Sequence, residues 1–275
     1  VVPEPDEVRA ILATLIADWR VPVPSIEVAA RDNILVGLTI YGLTAHTYTL
    51  AEAVVTLYDS GQHVAAVPLI RHAIECTMTA VWVELAGHAA ALALVQEQNR
   101  NIRNAFATFT AAGMQPDDEA ARQLAEDALR MLKTATPAGK YFEQRCKEIE
   151  GGIVMYGAYR SASQVSHASA SVVDLYLEGA DIEGVSPTGM KLLNRPQEFS
   201  PDSWLGTLLS MVIQATSVWS RIDRGHTART AMKALNRRLG TQYKQTYSAQ
   251  GLRGDRVRAQ ELRAWRATER PGPSS

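Results

Sequence analysis

Cysteine, phenylalanine and histidine are scarce in this 275-residue chain, which holds two, four and six of them. The two cysteines, Cys76 and Cys146, sit in helical patterns without metal-ligand spacing. That excludes a disulfide-framed secreted domain and fits reduced thiols packed as small hydrophobes in a cytoplasmic protein. No run of roughly 18 uncharged apolar residues occurs, which argues against a membrane span. No basic stretch leads into an apolar run near the start, which argues against a signal peptide. A glycine-rich phosphate loop, a nucleophile elbow and a Cys/His pair in motif spacing are all missing. Strand-type alternation is rare as well.

Metal ligands are equally sparse. A di-iron bundle needs Glu-x-x-His on two helices, whereas this chain has one reversed copy, His72-x-x-Glu75. Glu84 and His88 straddle the break at Gly87, and His46, His63 and His226 stand singly and read as surface or packing residues. Neither a metal nor a cofactor is expected.

What remains points to helices. Hydrophobic residues make up 46 % of the chain, enough for a core, and Ala, Leu, Arg and Glu are plentiful. The expected fold is an all-α multi-helix bundle with a short irregular or β-hairpin insertion near 178–200 and a basic, partly disordered C-terminal tail. The expected division is an N-terminal helix and Pro-rich connector over 1–24, a bundle core over 25–240 and the tail over 241–275. Helices are expected from about Pro5 to Trp19, Ser25 to Tyr58, Gln62 to Ala86, His88 to Ala112 and Asp117 to Lys133. Another starts near Lys140, pauses at Gly151-Gly152 and continues to about Tyr176, and a last large one follows Ser200-Pro201. Gly61 suits a left-handed cap, and Pro68 should kink its helix or mark an early start. Residues 241–275 show no core-like pattern beyond a short amphipathic helix after Asp255.

The net charge of −1 hides an asymmetry: residues 221–275 hold 13 Lys and Arg against 4 Asp and Glu, and residues 1–220 hold 15 against 25. A basic segment on an acidic body suits nucleic-acid contact, oligomer contact or self-neutralisation.

Two constellations carry chemistry. Tyr156, Arg160, Ser163, His167 and Ser171 follow one helical face as a polar stripe, opposite Ile153, Ala158, Val165, Ala168 and Val172. An arginine fork and a histidine seven residues apart in a buried setting suit work on phosphate or carboxylate. Arg71 and Glu75 form an i, i+4 pair on an otherwise apolar helix. A buried Glu75 needs a cation, which Arg71, Arg160 or His167 could supply, and the same groups could equally form a structural network.

Arg160-x6-His167 resembles the Arg-x4-6-His signature of the HEPN superfamily (higher eukaryotes and prokaryotes nucleotide-binding domains). Arg71-x3-Glu75 followed by Tyr-Arg-x2-Ser-x3-His-Ala-Ser also resembles a bacterial helical family of unknown function, over about residues 40–220. The HEPN resemblance implies a metal-independent RNase or nucleotide-acting effector of stress or phage defence, working as a homodimer. In it Arg160 holds the scissile phosphate and His167 moves a proton, with Arg71, Glu75, Tyr156 and Ser163 in support. The alternatives are a non-catalytic helical scaffold that binds a partner protein or small ligand, and a small-molecule hydrolase or lyase.

Overall fold

A computed structural model describes residues 3–21, 34–114, 141–179, 190–197, 201–225 and 228–268. Helices α2 (Ile34–Asp59) and α3 (His63–Ala86) form an antiparallel hairpin around Gly61. Gly61 adopts φ +69°, a left-handed value that glycine takes without a Cβ penalty. Its amide donates to the Tyr58 carbonyl, and the Gln62 amide donates to Leu57, which satisfies the carbonyls at the end of α2. Helix α3 continues through Pro68 without interruption.

Both hairpin helices are long and apolar enough to cross a membrane. The bundle uses that apolarity as its core: 61 % of the most apolar stretch of α3 is buried by its neighbours. Helix α8 (Pro201–Ile222) lies against both hairpin helices, and α1 (Pro5–Trp19) packs on α8 and α2. Leu12, Ile40, Ile70, Ile74, Met78, Trp82, Leu205 and Leu208 are fully enclosed in this interior. Each contributes about 1.5–3 kcal/mol relative to an exposed position. Hydroxyls inside the core are satisfied across helices. Tyr48 Oη lies 2.7 Å from Thr216 Oγ1, Thr47 Oγ1 lies 3.4 Å from Thr77 Oγ1, and Thr77 donates to the Met211 carbonyl at 3.3 Å.

Five shorter described elements follow α4 (His88–Ala111) along the chain: α5 (Phe142–Glu148), α6 (Gly152–Ser166), α7 (Ala170–Asp174) and the antiparallel pair β1 (Leu177–Gly179) and β2 (Met190–Leu192). With α9 (Arg229–Leu239) and α10 (Ala249–Thr268) the described residues hold ten helices and one small hairpin. The all-α bundle and its lone hairpin therefore stand as expected. The helix expected over Asp117–Lys133 and the Ser25 cap lie outside the described residues.

Two expectations need correction. The helix carrying Arg160 stops at Ser166 rather than near Tyr176. Ser166 Oγ donates to the Ala162 carbonyl at 2.7 Å and Ser169 Oγ to Gln164 at 2.5 Å. Such serine hydroxyls offer the backbone an alternative to helical continuation.

The basic C-terminal segment, for its part, contains a 20-residue helix rather than a short one after Asp255, and it is anchored. Arg258 Nη1 donates to both carboxylate oxygens of Glu148, at 3.0 and 2.8 Å, and Trp82 Nε1 donates to the same carboxylate at 2.7 Å. Both charged side chains are 6 % exposed. Gly251 and Gly254 make this approach possible: a Cβ on the first would run into the Glu148 backbone oxygen, and one on the second into the Glu148 carboxylate. Ile149 and Tyr247 add an antiparallel bridge. Arg221 grips Glu84 with two hydrogen bonds of 2.5 Å, and Arg238 pairs with Glu7. Part of the basic segment thus neutralises the acidic body.

Candidate functional site

Helix α3 presents Arg71, His72, Glu75 and Cys76 within about one and a half turns. Its packing against α6 brings Arg71 to Tyr159 and Ser163. Arg71 Nε donates to Ser163 Oγ at 2.8 Å, and Nη2 donates to the Tyr159 hydroxyl. The guanidinium carbon lies 4.4 Å from the Tyr159 ring centroid, a cation–π contact. Ser163 Oγ in turn donates to the Tyr159 carbonyl at 2.7 Å, which fixes the hydroxyl under the arginine. Among the described residues, no carboxylate makes an ion pair with Arg71. Burial pushes the Tyr159 phenol above its ordinary range, with the field of Glu75 adding to it. Tyr159, the tyrosine of the Tyr-Arg-x2-Ser-x3-His-Ala-Ser pattern, is thereby part of the site, one turn before Ser163 on the same face.

The expected stripe is only partly assembled. Tyr156 is half-buried and donates to Glu143 Oε2 at 3.3 Å. Arg160 is exposed, not buried, and its hydrogen bond to the Tyr156 hydroxyl raises its pKa further. His167 is also exposed, and it sits just past the helix end in extended conformation, φ −123° and ψ 155°. The helical phase that would align it with Arg160 is therefore lost. Ser171 lies on α7, and Ile153 on the supposed apolar side is 52 % exposed.

Glu75 differs from expectation too. Its ion-pair partner is His72 on its own helix, with Nδ1 to Oε2 at 3.8 Å, rather than Arg71, Arg160 or His167. The side chain is 33 % exposed, so it is not a sealed carboxylate. The His72 hydrogen bond is the main cause that holds the Glu75 carboxyl below its usual range, and the Arg71 charge adds to it. His72 is pushed up to about 10, first by its contact with Cys76 and then by Glu75.

His46, read from sequence as a solitary histidine, comes across from α2 to this same spot. Its ring centroid lies 5.1 Å from that of His72, edge to face. His72 Nε2 lies 3.8 Å from Cys76 Sγ. One donor atom from each of His46, His72 and Cys76 falls within 4.8 Å of the other two. Burial and the neighbouring His72 lower the pKa of His46. The hairpin itself was the missed signal: positions 46 and 76 each lie 15 residues from Gly61, so folding about that turn sets them opposite. The other cysteine is different: burial pushes the Cys146 thiol up to about 12, an inert packed group.

Fold and site together define an all-helical bundle whose central helix turns a cationic fork toward α6 and a histidine and a thiol toward His46 of α2. The chain belongs to a family of unknown function (DUF5677), whose model matches residues 38–184, more than half of its length. That stretch contains α3, α6 and every residue of the site just described. No curated protein and no solved structure matches the chain.

Proposed function

We propose that the protein binds and cleaves a phosphate-bearing substrate, RNA or a nucleotide, at the face where α3 meets α6, by HEPN-like metal-independent chemistry. The observation that carries this reading is Arg71. It is a partly buried guanidinium held in place by a tyrosine ring and two hydroxyls, with no carboxylate in ion-pair contact among the described residues. A pre-positioned fork of that kind, with no carboxylate in direct contact among the described residues, suits bidentate binding of phosphate. Arg160 adds a second, solvent-facing cation on the same helix as Tyr159 and Ser163. His167, just past the end of that helix, is the acid–base group. In the homodimer that the HEPN resemblance implies, the two copies of this face would line one cleft.

The test is incubation of the purified chain with total RNA and with labelled oligoribonucleotides. Wild type should leave 2′,3′-cyclic phosphate ends in the presence of a chelator. His167→Ala should lower the rate by about 100- to 10,000-fold without loss of helicity. Arg71→Lys should weaken oligonucleotide binding, because lysine keeps the charge and loses the planar fork. Wild type that neither binds nor cleaves RNA would refute the reading. The Arg71–Tyr159–Ser163 ties favour a second reading, a scaffold in which these groups only join α3 to α6. Under it Arg71→Lys lowers stability and there is no RNA binding to lose.

A further inference from the structure

We propose that His46, His72 and Cys76 form a binding site for a thiophilic divalent cation, zinc foremost, with its fourth position open to solvent. Two imidazole nitrogens and a thiolate are a donor set that zinc takes in open, three-ligand sites. In tetrahedral zinc, bond lengths of about 2.0–2.3 Å put neighbouring donors about 3.3–3.6 Å apart. Cys76 Sγ and His72 Nε2 already lie 3.8 Å apart, and the whole set falls within 4.8 Å. Closing the remaining gap takes small rotamer changes of the two histidines, both of which are exposed.

Three further features match a metal site rather than a chance meeting of polar groups. His72 turns Nε2 toward Cys76 and Nδ1 toward the Glu75 carboxylate, 3.8 Å away. A shift of the Glu75 carboxylate by less than about 1 Å would make this ion pair the carboxylate–histidine hydrogen bond that orients metal-bound imidazoles and raises their basicity. The charges also balance, because a Cys76 thiolate and the Glu75 carboxylate together offset a dication. Finally, the sulfur is buried at the floor while the imidazoles stand at the rim. Solvent therefore reaches the cluster from the rim, where a fourth ligand, water, would bind. Arg71, one residue before His72, is turned to Tyr159 and Ser163 and leaves this side clear.

The experiment is a titration of chelator-stripped, full-length chain with cobalt(II), followed by competition with zinc(II). One cobalt per chain should bind and give a near-ultraviolet thiolate-to-cobalt charge-transfer band, which zinc then abolishes. Cys76→Ser should lose the band. His46→Ala and His72→Ala should each weaken binding by more than 100-fold, and Glu75→Gln by about 10- to 100-fold. His88→Ala, outside the cluster, should leave binding unchanged. Because His46 and His72 are exposed, their variants report on a folded chain whatever Cys76→Ser does to packing. No charge-transfer band in wild type, or a band that survives Cys76→Ser or both histidine variants, would overturn the assignment. The readout involves no RNA, so the site stands or falls independently of the phosphate chemistry.

Discussion

Replacing Arg258 by methionine should destabilise the protein far more than removal of a surface charge. Glu148 receives three hydrogen bonds, two from Arg258 and one from Trp82, and both charged side chains are 6 % exposed. Methionine fills much of the volume and leaves the carboxylate buried with a single donor. Breaking one side of such a pair costs about 3–5 kcal/mol, a large share of the roughly 5–15 kcal/mol that holds a typical protein folded. With a urea m-value toward the upper end of about 1–3 kcal/mol/M, the unfolding midpoint should fall by roughly 1 M or more. Circular dichroism in urea reads it directly. The double variant Glu148→Gln with Arg258→Met should recover a good part of the loss, since no buried charge is then stranded. A midpoint shift under roughly 0.3 M for Arg258→Met, equivalent to under about 1 kcal/mol, would refute the account of a desolvated pair.

Gly254→Ala should weaken the same junction by driving a methyl into the Glu148 carboxylate, and limited proteolysis should then cut within α10 in the variant but not in wild type. Truncation after residue 240 should lower the unfolding midpoint markedly, because it removes Arg258, Tyr247 and the Ile149 bridge; an unchanged midpoint would show that the anchor contributes nothing. Glu75→Ala should cost under about 1 kcal/mol by urea unfolding, as its pair with His72 is partly exposed. His46 and His72 should titrate in opposite directions in metal-free protein, His46 below 6.5 and His72 toward about 10, which ring NMR resolves. His72, raised on folding, then stabilises fully below about pH 6.5 and loses that contribution as pH rises through about 10, and a His72 that titrates at or below 6.5 would contradict its pairing with Cys76 and Glu75.

Legibility in the sequence followed the range of the interactions. Pro5 and Trp19 as the limits of α1, Gly61 as a left-handed cap and Pro201 as a helix start are local signals, and each appears as read. The end of α6 is also local, yet it was missed, because serine hydroxyls at Ser166 and Ser169 compete for carbonyls while the apolar period runs on. Arg71 was legible as an unusual charge on an apolar helix, but its partners Tyr159 and Ser163 lie 88 and 92 residues away, beyond any periodicity. His46 needed the hairpin to be folded in thought. Arg258 lies in a segment without a core-like pattern, and the carboxylate it meets is 110 residues away, so no local period reveals its burial.

The junction around Glu148 also sets an order of events during synthesis. Trp82 and Glu148 leave the ribosome long before Arg258, which is 110 residues further along than Glu148. At about 5–20 residues per second that interval is roughly 5–20 s. The α2–α3 hairpin, built on neighbours in sequence, can form within it. The Glu148 carboxylate cannot leave water until its guanidinium arrives, so the wall of the bundle beside Trp82 stays hydrated meanwhile. Closure of this wall is thus tied to the arrival of the C-terminal helix, however early the α2–α3 hairpin forms.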